Sequence, residues 1–78
     1  MTTRAAKTLM WEAKAADGRA ADLLAFALDH AHPDADVYRS ADDRVVVIDP
    51  TGAGLPVAPA GLVARPPHTW RFEPVPRG

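Results

Sequence analysis

An α+β fold in the order β-α-β-β-(short α)-β, with a four-stranded antiparallel sheet and one main helix on one face, is predicted by three observations. Val45-Val46-Val47-Ile48 is apolar at every position, and Leu9-Met10-Trp11 nearly repeats the pattern. Successive strand side chains point to opposite sides, so both runs mark strands covered on both faces. Only Arg19 to about Ala31 has the spacing of a full helix, and one helix shields one face of a sheet. The second face is therefore expected to be covered by a dimer partner, a second copy of the chain.

Thr8 to Ala15 reads as the first strand, with Leu9, Trp11 and Ala13 alternating with Met10, Glu12 and Lys14. Asp17-Gly18 breaks it. From Arg19 the pattern turns helical: Ala20, Leu24, Ala27, Leu28 and Ala31 form one stripe with Leu23 at its edge and Phe26 well off it. Asp17 or Gly18 is the expected N-cap, and Pro33 lies just past the stop. Ala35 to Ala41 alternates weakly and suits an edge strand, and Asp42-Asp43 turns it back into Arg44 to Asp49 as a hairpin. Pro50 to Pro59 reads as a loop, and Pro59 to Ala64 has room for one helical turn before Pro66-Pro67 stops it. His68 to Val75 alternates cleanly, and Pro74 confines that strand to a sheet edge. The chain is thus read as a flexible N-terminus (1–7), one domain (8–75) and a flexible C-terminus (76–78).

A domain of 78 residues buries a modest share of its surface, and the absence of cysteine removes disulfides, thiolate metal sites and thiol nucleophiles. Oligomerisation is the reinforcement left. A net charge of −1 with seven scattered arginines argues against nucleic acid, which needs a concentrated basic surface. Thr8 to Ala13 is short and interrupted by Glu12, so neither a signal-peptide core nor a membrane span is expected, and the location is read as cytoplasmic. The alanine, arginine and proline bias, with no asparagine or glutamine, is what a GC-rich bacterial genome tends to produce. Ser40, Thr51 and Thr69 lie in no nucleophile-elbow context, and Thr51-Gly52-Ala53-Gly54 opens into prolines and not into a phosphate-binding helix.

From Thr8 to Val75, the element order resembles the ferredoxin-like split βαβ arrangement, which places strands one and three in the centre and two and four at the edges. With its length and its uncovered apolar sheet face, the chain is similar to the dimeric α+β barrel superfamily, including the antibiotic-biosynthesis-monooxygenase-like proteins. That resemblance is one of fold. It implies two sheets packed face to face around a cleft for cofactor-free chemistry, haem chemistry or ligand binding. The curtailed second helix, broken by Pro56, Pro59, Pro66 and Pro67, departs from the pattern.

If strand four lies antiparallel beside strand one, Glu12 and Arg71 are expected on one face, opposite Trp11, Trp70 and Phe72, which are assigned to the helix-covered core. The candidate catalytic residues are Glu12, Arg71 and His68; Met10, Tyr38 and Arg71 are the candidate ligand-binding residues. A carboxylate–guanidinium pair in a cleft orients a polar aromatic ligand or supplies a general base, and equally fixes dimer register. His68 offers an imidazole at the start of the last strand. The first functional expectation is a homodimer that binds a small apolar or aromatic molecule, or acts on it without a cofactor; no nucleic-acid or membrane partner is implied. The second is a protein-interaction module without catalytic activity. The third is divalent-metal binding by His30 and His32, against which stands the ease of a histidine at a helix C-terminus.

Overall fold

A computed structural model describes residues 7–77 of the chain. The order is β1 (Thr8–Lys14), α1 (Ala20–His30), β2 (Asp36–Arg39), β3 (Arg44–Asp49), a single 3-10 turn (Ala60–Leu62) and β4 (His68–Phe72). The sheet runs β2-β3-β1-β4 with every neighbouring pair antiparallel. The two apolar runs are the central strands, and this small α+β arrangement is compatible with a ferredoxin-like fold. β4 stops at Phe72, short of the expected Val75, since Pro74 has no amide to offer a ladder. The N-terminal segment expected to be flexible lies outside the described residues except for Lys7, as does Gly78 at the other end. No helix among the described residues is long and apolar enough to cross a membrane.

Register decides which side each residue takes. Leu9, Trp11 and Ala13 share a face with Val45 and Val47, and all five are buried. α1 lies over this face, leaning on β2 and β3, and inserts Leu23 and Ala27. The proline-rich segment does the work of a second helix here. Leu62 joins the core, Leu55 and Val63 pack against it, and Ala58 is buried. Backbone bonds from Ala16 N to Leu62 O and from Ala64 N to Lys14 O tie the segment to the end of β1.

The helix is rotated from the expected stripe. Leu23 is fully buried, Leu24 is half-buried, and Leu28 is 62% exposed. Phe26, expected off the stripe, packs against the core rim and lies 4.6 Å from the His30 ring. The N-cap is Arg19, without a side-chain capping bond, so neither Asp17 nor Gly18 fills that role. Small alanines at 20, 27 and 31 leave the helix free to turn until Leu23 enters the core that holds Trp11 and Val47, which periodicity alone does not weigh.

Asp49 ends β3 fully buried on the helix-covered face. One carboxylate oxygen accepts from Thr51 N (2.8 Å) and Thr51 Oγ1 (2.6 Å), the other from Gly54 N (3.1 Å). Burial pushes this carboxyl up, but the Thr51 hydroxyl, the two amides and the His32 ring together outweigh it and hold the group below its ordinary value. In the same loop Gly52 has φ +75°, and a Cβ there would stand 2.5 Å from Lys7 O. Only glycine tolerates both conditions.

Leu23→Ala is expected to cost about 3 kcal/mol in urea denaturation, and Leu28→Ala less than about 0.5 kcal/mol. Because the Asp49 carboxyl is depressed on folding, its contribution is present above the unfolded carboxyl pKa and is lost as pH falls through the folded value. Asp49→Asn turns an amide N–H toward a backbone N–H, so that variant should be weaker at neutral pH and lose less stability on acidification below about pH 4.

Candidate functional site

The face opposite α1 has no cover among the described residues. Thr8, Met10, Glu12 and Lys14 of β1 stand there beside Arg44, Val46 and Ile48 of β3, Tyr38 of β2, and His68, Trp70 and Phe72 of β4. Met10, Val46 and Ile48 are half-buried, and Tyr38, Trp70 and Phe72 are exposed to 55%, 44% and 49%. Ile48, Met10 and Trp70 thus form an apolar row across β3, β1 and β4, with Asp36 at its β2 end.

One charged cluster lies beside it. Glu12 is opposite Val46 on one side and His68 on the other, which leaves the residue only 8% exposed. Its Oε2 faces Arg44 Nε at 3.1 Å, and its Oε1 faces His68 Nδ1 at 3.8 Å. The angle at the first contact departs from that of a hydrogen bond, so the pair is held by charge. Arg44 also lies directly opposite Lys14, two cations in one cross-strand pair. Asp42 compensates: its Oδ2 is 3.5 Å from Arg44 Nη2 and 3.9 Å from Lys14 Nζ, while Lys14 Nζ donates to Asp42 O at 2.6 Å. A hydrogen bond from the Ser40 hydroxyl, then the Arg44 and Lys14 charges, hold the Asp42 carboxyl below its ordinary value.

The register corrects the expected pairing of Glu12 with Arg71. Arg71 stands opposite Leu9 and Glu12 opposite His68, so they point to opposite faces. Arg71 instead reaches the loop after β3, with Nη1 3.5 Å from Gly52 O. Trp70 and Phe72, assigned to the core, lie on the open face with Glu12, and Trp11 alone of the three aromatics is in the core. The physical cause is the period of two: β4 meets β1 one residue out of the phase assumed, and every side chain changes side. Met10 and Tyr38 are on the open face, Met10 directly opposite Trp70 and Tyr38 opposite Val46.

Arg44 was missed as a site residue, and the run Asp42-Asp43-Arg44 gave no hint of the carboxylate across the sheet. His30 lies 3.5 Å from Asp29 and against Phe26, and His32 Nδ1 accepts from Asp34 N at 3.0 Å. Among the described residues no group of three donors is placed to hold a metal ion.

Several hollows flank the sheet. One of about 480 Å³ lies between the start of α1 and the β2–β3 turn, lined by Ala20, Leu24, Arg39 and Val45 among others. A shallow, wide-open depression is formed by Pro67, His68, Thr69 and Trp70. Compared with known proteins, the chain matches no family model, no curated protein and no solved structure.

Arg44→Ala leaves the Glu12 carboxylate buried with one distant partner and should cost about 2 kcal/mol, discounted for the partial exposure of Arg44. Arg71→Ala removes one long contact from an exposed side chain and should cost under about 0.5 kcal/mol. Chemical denaturation of both variants checks the corrected assignment.

Proposed function

We propose that two copies of this chain stack open face to open face, as in dimeric α+β barrels, and bind a small apolar or aromatic organic molecule between the sheets. The reading is of a bacterial, cytoplasmic binding domain that needs no cofactor to hold its ligand. The observation that carries it is the contrast between the two faces: one is filled by α1 and the proline-rich segment, while the other leaves Met10, Val46, Ile48, Trp70 and Phe72 without cover from the described chain. An apolar patch of this extent on so small a domain marks an interaction surface. Glu12, Arg44 and His68 supply the few polar groups that orient a ligand on apolar ground.

Strand spacing and rise make the face roughly 20 Å on a side. Two such faces bury on the order of 800 Å² before flanking segments add to it, at the small end for specific association. The dimer should therefore dissociate on dilution.

A second reading, a protein-interaction module without catalysis, is favoured by β4, whose five residues are all exposed although it is hydrogen-bonded to β1. An edge strand of that kind accepts an added strand.

Light scattering over a dilution series should give twice the chain mass at high concentration. Trp70→Glu should shift the population to single chains while leaving the circular dichroism spectrum unchanged. A lone-chain mass throughout, with Trp70 fluorescence fully open to an aqueous quencher, overturns the stacked dimer. For the ligand, a thermal-shift screen of small aromatic acids and phenols should raise the melting temperature of the wild type and not of Trp70→Glu; a panel without effect removes the binding reading.

A further inference from the structure

On the side of the sheet away from the open face, the start of α1 and the β2–β3 hairpin do not close against each other. Between them lies the hollow of about 480 Å³, roomy enough for a small organic molecule. Its walls are aliphatic where Ala20, Ala21 and Leu24 of the helix meet Val45 of β3. Arg39 lines it from β2, opposite Val45 on the face that α1 covers, and Asp43 lines it from the turn. Among the described residues neither of these charged side chains has a hydrogen-bond or ion-pair partner, and the two do not pair with each other. Arg44, at the same rim, is already held by Glu12 and Asp42, and the Ser40 hydroxyl is held by Asp42.

Asp43 stands at a position that suits glycine better. The bond from Ser40 N to Arg44 O (2.9 Å) closes a three-residue loop whose last residue, Asp43, has φ +64°, the left-handed conformation that glycine takes with least strain. Among the described residues it is the one residue other than glycine at positive φ. Ala15 N donates to its carbonyl at 2.8 Å, which fixes the turn against the end of β1. The hollow therefore carries one cation and one anion, each unmatched, beside an aliphatic wall. We propose that it binds a free α-amino acid with a branched aliphatic side chain, its carboxylate toward Arg39, its ammonium toward Asp43 and its side chain against Leu24 and Val45. A zwitterion answers both charges with one small molecule, whereas a fatty acid or a simple amine leaves one of them without a partner. The aliphatic wall selects against a polar side chain, which would lose its water there without gaining a hydrogen bond. This site and the open face lie on opposite sides of the sheet, and neither reading depends on the other.

Titration of the full chain with L-leucine and L-valine, followed by amide chemical shifts, tests this. The amides of Ala21, Leu24 and Val45 should move on addition, and those of Met10 and Trp70 on the opposite face should stay in place. N-acetyl-L-leucine, which lacks the ammonium, and L-leucinamide, which lacks the carboxylate, should each bind about tenfold more weakly than L-leucine, the effect of losing one charged hydrogen bond. Arg39→Gln and Asp43→Gly should weaken L-leucine binding by about the same factor. Asp43→Gly carries its own control, because glycine is at ease at φ +64°: the variant should melt no earlier than the wild type, so that lost binding reports the missing carboxylate and not a broken turn. No shift with either amino acid overturns the site, as do shifts confined to the open face. An analogue that binds as tightly as L-leucine, or binding unchanged in Arg39→Gln and Asp43→Gly, overturns the zwitterion.

Discussion

The pairing of β1 with β3 constrains everything else in the molecule. It sets Leu9 opposite Asp49 and Lys14 opposite Arg44. A slip of one residue would exchange the faces, turn Glu12 toward the helix-covered side and carry Trp11 to the open one. β3 has two apolar residues on each side, so for that strand hydrophobicity by itself does not choose a phase. The polar residues do. Asp49 finds the amides of its own loop only on the helix-covered side, and Glu12 finds Arg44 and His68 only on the open side.

The charges are spent on that choice more than on net stability. Lys14 opposite Arg44 is repulsive, and Asp42 and Glu12 each answer part of it. Breaking such a cluster costs more than forming it gains, because a partner left behind stays away from water. A buried carboxylate between two basic strands is thus a register device in the single chain. The same placement brings the His68 ring to 3.8 Å from that carboxylate at the edge of the open face.

Much of the fold was legible in particular residues. Val45 to Ile48 and Leu9 to Trp11 marked the central strands, Asp42-Asp43 marked the hairpin, and the prolines around 56–67 excluded a full second helix. The site was legible only in part. Met10, Glu12, Tyr38 and His68 were placed on the open face or at its rim, whereas Arg71 was assigned to the wrong side and Arg44 was overlooked. A strand that alternates cleanly, as His68 to Phe72 does, has two equally regular ways to face a sheet, and tryptophan and phenylalanine bias the choice toward the core. Here the core was already filled by Trp11, Leu23 and the proline-rich segment, so the β4 aromatics remained outside.

Element type and order were determined by the chain's own local chemistry, since turn residues, prolines and apolar periodicity act over a few positions. The absence of enough helix to cover two faces was also written in the sequence. Tertiary structure alone decided the rotation of α1, the phase of β4 and the meeting of Glu12 with Arg44 and His68. Each of these depends on how much space distant side chains have already taken, a quantity no local pattern contains.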